Sequence, residues 1–283
     1  MSLLATKTET PRVRAGRGHL EVKVVSGQSA ATSAGATSPL KLLIPRPRGP
    51  SVWAYLSSFG GGLVAGDEIS LNIDLGEQAR CFVSTQASTK VYRNPDSLPC
   101  GHQLKANLGG GSLLVLAPDP VQAYAGSRYT QRQEFHLQSG SGLVLVDWFC
   151  SGRAACGERW AFNHFQSRND VFVEGKRTFI DSLLIDPTDG SLENSQRMGR
   201  FNCLALVLLI GEPLRAAAAR MLEDVSAQKV ARRPSLVCSA SPVAGGVLVR
   251  FAGEQVEAVG REIHRHLAFL TELLHDDPWS RKW

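Results

Sequence analysis

Apolar and polar residues alternate with a period of two along most of the chain, up to about residue 186. Between Glu68 and Leu75 the alternation is unbroken, which is typical of a strand with one solvated and one buried face. Glycine clusters such as 60–62 and 109–111 separate successive alternating segments. Because no helical periodicity lies between these segments, parallel βαβ units are not expected, and the pattern predicts an all-β body. The predicted strands are 19–25, 40–44, 52–56, 68–75, 79–85, 102–108, 112–117, 131–137, 142–150, 159–165, 171–174 and 178–185.

The pattern changes character after residue 210. Glu212-Pro213 and the alanine-rich run that follows it to Leu222 predict a helix with proline in its first turn. Two strands are predicted at 235–239 and 247–251, and a second helix is predicted at 255–274. One apolar stripe on that helix is interpreted as core packing, with a surface for a partner helix as the alternative. The stripe comprises Val256, Val259, Ile263, Leu267, Leu270 and Leu274.

The predicted fold is mainly β, a single large β body followed by a helix-strand-strand-helix segment. Its expected divisions are a basic N-terminal arm at 1–18, the all-β body at 19–210, an α+β segment at 211–276 packed on that body, and a frayed tail at 277–283. Within the body, residues 26–38 are rich in Ser, Ala, Thr and Gly, and this composition predicts a loose loop.

The net positive charge is concentrated in the N-terminal residues of the chain. A formal charge of +5 suggests a partner such as nucleic acid or an anionic membrane. Residues 1–50, however, carry eight Lys or Arg against two Asp or Glu, so the rest of the chain is nearly neutral. No nucleic acid or membrane partner is therefore expected for the body. A binder of anions or nucleic acid that uses the basic arm stays as an alternative function.

Composition and apolar runs favour a cytoplasmic globular protein. A hydrophobic content of 43% excludes a disordered chain. The longest unbroken apolar run, 203–210, is far shorter than the roughly 20 residues that span a bilayer. The N-terminal residues contain no apolar stretch that would suit a signal peptide. Six scattered cysteines without a CxxC pair are expected to be reduced.

The glycine-rich turn before the unbroken strand does not suit a phosphate. Gly61 and Gly66 have the GxxxxG spacing, but Asp67 and Glu68 follow where Lys and Ser or Thr are needed. Two carboxylates would repel a phosphate, and a strand rather than a helix N-terminus follows. The turn is interpreted as one that presents Asp67 and Glu68 at the start of a strand.

Catalytic and metal-chelating motifs are weak in this sequence. Cys150 and His164 could form a nucleophile and base, and an unrecognised enzyme that uses them is kept as an alternative. No GxSxG elbow is present. His264 and His266 stand two apart on a predicted helix, so they face different directions and cannot chelate one metal together.

Two carboxylates lie within strongly apolar strands. Asp147 shares a face with Leu145 and Phe149, and Asp181 shares a face with Phe179 and Leu183. Burial of an unpaired carboxylate costs several kcal/mol, so each needs a partner, a bound cation or an internal polar space. A partner such as Arg153 or Arg177 is one interpretation. A polar path inside the protein is the functional alternative.

Four groups of motifs, spaced across residues 59–160, make this chain resemble the urease accessory protein UreD family, also called UreH. Ala65 departs from the family, which usually has glycine there, but Asp67 stays in register. The matching stretches are Phe59–Asp67, Thr85–Arg93, Pro118–Val121 with Ala125–Ser127, and Asp147–Arg153 with Gly157–Trp160.

The resemblance implies a helicoid-like β body and no catalysis by the chain itself. It implies a chaperone that acts with UreF and the GTPase UreG, docks on apo-urease and conducts nickel(2+) to the urease active site. Nickel would be transient cargo rather than a tightly bound cofactor. Carried over by position, the nickel path would involve the acidic residues Asp67, Glu68, Asp147 and Asp181, with Thr89 as a further polar candidate.

Scattered carboxylates suit such a path. A cage of Cys and His ligands would hold Ni²⁺ tightly, whereas single carboxylates and waters are weaker oxygen ligands. Transit requires several sites that a cation enters readily and also leaves readily. The lack of a chelating motif is therefore consistent with a metal conduit.

Overall fold

The structure, a computed structural model, describes residues 14–280. Within that range the chain forms 17 strands and three α-helices. The strands are β1 (Arg14–Val25), β2 (Gln28–Ala36), β3 (Leu40–Leu43), β4 (Val52–Ser58), β5 (Asp67–Leu75), β6 (Arg80–Thr85), β7 (Thr89–Val91), β8 (Gly101–Leu108), β9 (Leu113–Leu116), β10 (Val121–Ala123), β11 (Arg128–Leu137), β12 (Gly142–Cys150), β13 (His164–Val173), β14 (Lys176–Ile185), β15 (Cys203–Gly211), β16 (Leu236–Val243) and β17 (Gly246–Gly253). The helices are α1 (Arg215–Ser226), α2 (Val256–His266) and α3 (Leu270–Leu274).

The body is a β-solenoid of about four turns, which confirms the mainly β prediction. The chain passes alternately between two sheets, through β4 and β5, β6 and β8, β9 and β11, then β12 and β13. The first sheet has the order β14-β13-β11-β8-β5-β1-β2, and the second has β16-β17-β15-β12-β9-β6-β4-β3. Strands from successive turns pair in parallel without any crossover helix. Neighbouring turns therefore present matching residues side by side.

Strand β12 shows why the second sheet is buried on both faces. Its odd positions Leu143 and Leu145 face the first sheet, whereas its even positions Val144 and Val146 face the helices. All four side chains are buried. A strand between two apolar layers needs a nearly continuous apolar sequence, as this one has. Complete burial of each such side chain stabilises the fold by roughly 1.5–3 kcal/mol.

Strand β2 corrects the prediction of a loose loop at 26–38, which was wrong. Ser26 and Gly27 both have positive φ, 51° and 79°, and they join β1 to β2 as a two-residue hairpin. Such turns match the twist of antiparallel strands. Because β2 lies at the edge of its sheet and most of its small side chains are not buried, it lacks the apolar alternation that identifies a strand.

The predicted strand 159–165 is also wrong in most of its length. Residues 159–163 form a loop in which Trp160 has a left-handed backbone, with φ of 52°. The Trp160 N–H donates to Ser151 O at 2.7 Å, and its indole N–H donates to Phe201 O at 3.1 Å. These contacts fold the loop against the body, and strand β13 begins only at His164.

The C-terminal segment packs on the second sheet. Strand β15 pairs antiparallel with β12, and β17 and β16 extend the sheet beyond it. The apolar stripe lies mainly in the core, since its members from Val259 to Leu274 are buried. The long second helix is divided, however, because α2 ends at His266 and α3 begins at Leu270. Among residues 14–280, no helix combines the length and apolar character needed to cross a bilayer.

The structure describes only part of the predicted N-terminal arm and only part of the predicted C-terminal tail. Residues 1–13 of the basic arm and residues 281–283 of the tail lie outside the described residues. Strand β1 already begins at Arg14, inside the predicted arm. Trp279, in the tail expected to be frayed, stacks on His264 at 3.9 Å and meets the ring edge of Phe82.

Candidate functional site

Two cavities of the protein share Asp147 in their linings. The first, called here the inner cavity, has a volume of about 250 Å³ and lies between the two sheets. Thr85, Thr89, His102, Gln131 and Asp147 are among its lining residues. The second, called here the end cavity, has a volume of about 500 Å³ and lies between β14 and strands β16 and β17. Asp147, Ser167, Asp181, Cys238 and Arg250 are among the residues that line it.

The solenoid aligns side chains in two rows across the inner face of the first sheet, and each row contains three consecutive polar residues. Strand pairing places the members of each row opposite one another, about 4.8 Å apart from strand to strand. The first row is Ile69, His102, Gln131, Ser167 and Leu183, and the second is Leu71, Leu104, Gln133, Asn169 and Asp181. Both rows run perpendicular to the strands, along the solenoid, so polar groups follow one another from the inner cavity to the end cavity.

Asp147 projects from the second sheet into these rows. Gln131 Nε2 donates to its Oδ1 at 3.0 Å, while Ser167 Oγ and Asn169 Nδ2 donate to its Oδ2 at 2.6 and 2.8 Å. Burial raises the pKa of the Asp147 carboxyl, these three hydrogen bonds oppose the rise, and the nearby Asp181 adds to it. No Lys, Arg or His within residues 14–280 forms an ion pair with Asp147. Its carboxylate is therefore a place where a cation would gain an interaction.

Asp181 sits at the far end of the second row and has a cationic partner. Arg250 Nη2 on β17 donates to Asp181 Oδ1 at 2.6 Å. The expectation that Arg153 or Arg177 pairs with these buried acids is wrong, because Arg153 pairs with Glu158 and Arg177 lies 3.6 Å from Asp170. Arg250 comes from the other sheet, and nothing in the spacing of the sequence indicates that contact.

Asp67 and Glu68 do not line either cavity. The Val64 N–H donates to Asp67 Oδ2 at 3.0 Å, so this carboxylate closes the glycine-rich turn. Its Oδ1 is buried without a hydrogen-bond partner among the described residues. Glu68 follows at the start of β5 and is partly buried. Of the predicted path residues, the structure brings Thr89, Asp147 and Asp181 to the cavities and leaves Asp67 and Glu68 apart from them.

His102 is a cavity residue that the sequence analysis did not select. It lies on the buried side of β8 with Leu104 and Ala106, and its Nε2 is buried without a hydrogen-bond partner among the described residues. Burial lowers its pKa from 6.5 to about 4, so the imidazole is neutral at pH 7. The sequence signal that could have identified His102 is a histidine at an apolar position of a predicted strand.

The burial of His102 predicts a contribution to the stability of the folded protein that is lost in acid. The unfolded chain takes up a proton at His102 near pH 6.5, whereas the folded chain resists it until about pH 4. Stability is therefore full above pH 6.5 and falls as the pH decreases towards 4. Between pH 7 and pH 5, wild type should lose about 2 kcal/mol more free energy of unfolding than His102→Leu. Urea denaturation at the two pH values measures the difference, and equal losses would contradict it.

The alternative enzyme based on Cys150 and His164 has no site in this structure. Cys150 lies on the face of β12 towards the helices, and burial raises the pKa of its thiol. His164 belongs to the first sheet, where its charged neighbours are Arg128 and Asp186. Within residues 14–280 there is no group of three or more His, Cys, Asp or Glu that could hold a metal ion. The arrangement thus offers single carboxylate and polar sites rather than a catalytic or chelating centre.

Comparison with known proteins relates almost the whole chain to one family. A family model described as "UreD urease accessory protein" matches residues 14–283. The chain is 45% identical over 271 residues to "Urease accessory protein UreD" of Sorangium cellulosum, covering 95% of this chain and 85% of the relative. It is 39% identical over 269 residues to the protein of that name from an Anaeromyxobacter species, covering 95% and 90%. "Urease accessory protein D" of Arabidopsis thaliana is 35% identical over 294 residues, covering 93% and 99%.

Proposed function

The chain belongs to the UreD urease accessory protein family, and we propose that it delivers nickel(2+) to urease through the two cavities that share Asp147. The family predicted from the sequence motifs is thereby confirmed. The chain is a non-enzymatic accessory protein that takes part in urease maturation. Nickel is its cargo in this proposal rather than a resident cofactor.

The presence of one carboxylate in the linings of both cavities is the observation that carries the proposal. Asp147 is deep in the protein, yet part of its surface is accessible because it faces the cavities. Its oxygens are held by neutral donors, so a passing cation would stabilise the charged form that burial disfavours. One carboxylate with waters binds Ni²⁺ more weakly than a cage of His and Cys would. Weak successive sites allow a cation to move on.

Arg250 gives the path unequal ends. At the inner cavity, Thr85 Oγ1 donates to Asp119 Oδ2 at 3.1 Å, and both residues line that cavity with Thr89. At the end cavity, the positive charge of Arg250 beside Asp181 lowers the attraction of that carboxylate for a cation. Asp147 therefore binds the ion more strongly than Asp181 does, and the Asp181 end favours release.

Protein partners complete the proposal. Members of the family form complexes with urease and other accessory proteins, and we assign UreF, UreG and apo-urease as the partners of this chain. Phe59 and Val64 are exposed by 57% and 41% beside the glycine-rich turn, close in sequence to Ser57 and Gly61 at the inner cavity. Exposed apolar side chains next to a cavity fit coverage by another protein.

Co-expression tests this function directly. Urease produced with its other accessory proteins should gain nickel and activity at low external nickel only when this chain is present. Urease activity and nickel content per purified urease measure the outcome. Full nickel loading without the chain, at equal urease abundance, would overturn the maturation role. The route through Asp147 is tested separately by Asp147→Asn.

A further inference from the structure

The inner cavity is lined by an imidazole whose Nε2 is satisfied by no side chain within residues 14–280. His102 lines this cavity, and its Nε2 is buried without a hydrogen-bond partner among the described residues. We propose that His102 is a nitrogen ligand for the divalent cation in the inner cavity, one step before Asp147. This proposal rests on the conduit function above and adds a ligand that the resemblance to the family did not indicate.

The rows of the first sheet place His102 next to the Asp147 site. His102 on β8 is opposite Gln131 on β11, about one strand spacing of 4.8 Å away. Gln131 in turn donates to Asp147 Oδ1 at 3.0 Å. His102, Gln131 and Asp147 all line the inner cavity. A cation in this cavity therefore passes an imidazole on one strand and a carboxylate near the next.

The neighbours of His102 in the first sheet do not satisfy its buried nitrogen. Ile69, its partner across β5, is apolar, and Leu104 follows it on the same face of β8. A buried polar atom without a partner destabilises a protein by about 1–3 kcal/mol. A cation or its bound water in the cavity would supply the missing partner. The ring is not blocked by a proton at pH 7, since burial lowers the pKa of His102 to about 4.

The chemistry of this site suits transit rather than storage. Imidazole is a good ligand for Ni²⁺ and ranks it above Mn²⁺, Fe²⁺ and Co²⁺. With only one nitrogen and one carboxylate from the protein, water would occupy the other positions around the ion. His102 would thus add preference for nickel at the inner cavity without converting it into a permanent site.

A direct binding experiment tests the ligand role. Nickel(2+) alone is titrated into the full-length chain, and X-ray absorption is recorded for wild type, His102→Leu and His136→Leu. His136 is the matched control, because it lies on the same sheet and bonds to Glu134 rather than lining either cavity. His102→Leu should weaken nickel binding at least about tenfold and remove imidazole scattering from the strongest site. His136→Leu should leave that site unchanged.

Unchanged affinity and imidazole scattering in His102→Leu would overturn the proposal. If that variant does not fold, as judged by thermal denaturation, His102→Gln keeps a polar side chain and must still lose the imidazole scattering. Failure of this proposal is distinct from failure of the conduit. Normal urease activation by Asp147→Asn would contradict the conduit. Reduced activation by Asp147→Asn, together with unchanged nickel binding by His102→Leu, would contradict only the proposed His102 ligand.

Discussion

Asp147→Asn is expected to slow urease activation at limiting nickel by at least about tenfold. A unit charge 4 Å from another contributes about 4 kcal/mol at an effective dielectric constant of 20, and water in the cavity reduces this value. Loss of the charge therefore weakens the site that the two cavities share. The measurement is the rate at which urease gains activity and nickel when the accessory proteins are supplied with a fixed, low nickel concentration.

A second variant, at the surface, separates this effect from a general change of charge. Asp74 accepts a hydrogen bond from Asn107 Nδ2 at 2.7 Å and lines neither cavity, so Asp74→Asn should activate urease normally. Asn at position 147 keeps the shape of the side chain but faces three donors, so thermal denaturation and co-purification with the partners must accompany the assay. Activation by Asp147→Asn at the wild-type rate would contradict the route.

Gly101→Ala is expected to have the largest effect on the fold. A Cβ at Gly101 would lie 1.9 Å from Thr130 O and 3.0 Å from Thr130 C, both backbone atoms of the neighbouring strand. Since the backbone cannot rotate away as a side chain can, β8 and β11 must separate. Overpacking typically costs about 1–3 kcal/mol of the free energy of unfolding, and a clash between backbone atoms belongs at the upper end of that range. Urea denaturation should show a lower midpoint, and the adjacent His102 should move with the strand.

Gly110→Ala provides the matched control for that variant. Gly110 follows the other end of β8, and a Cβ there would meet only Ser139 O, at an ordinary 3.5 Å. Its effect should stay within about 1 kcal/mol, the usual range for a substitution without a clash. Equal denaturation midpoints for the two alanine variants would show that Gly101 is not required for the close approach of the strands.

Elements with a long, regular pattern were predictable from the sequence. Gly142–Cys150 is a strand in both the prediction and the structure, because nine residues are enough to show that both faces are apolar. Strands β7 and β10 have three residues each, which is too short to show any period. The parallel pairing between turns was not expected from the pattern, since it depends on how the sheets stack and not on local sequence.

The candidate site was predictable where it depends on burial and not where it depends on contacts between distant residues. Asp147 could be selected because a carboxylate in an apolar strand requires an explanation. The Arg250 partner of Asp181 is 69 residues away in sequence and comes from the other sheet, so only the fold reveals it. Asp67 could be recognised as an acid after a glycine turn, but its hydrogen bond to Val64 shows a local structural role.

The repeat of the solenoid sets the length of the proposed passage in fixed steps. From His102 on β8 to Asp181 on β14 the path crosses three strand intervals, or about 14 Å. Adding or removing one coil would change this length by a whole interval. A one-residue shift within a strand would instead turn its inward side chains outward and interrupt the path. A change in the length of such a passage that keeps its side chains facing inward is therefore a change by whole coils.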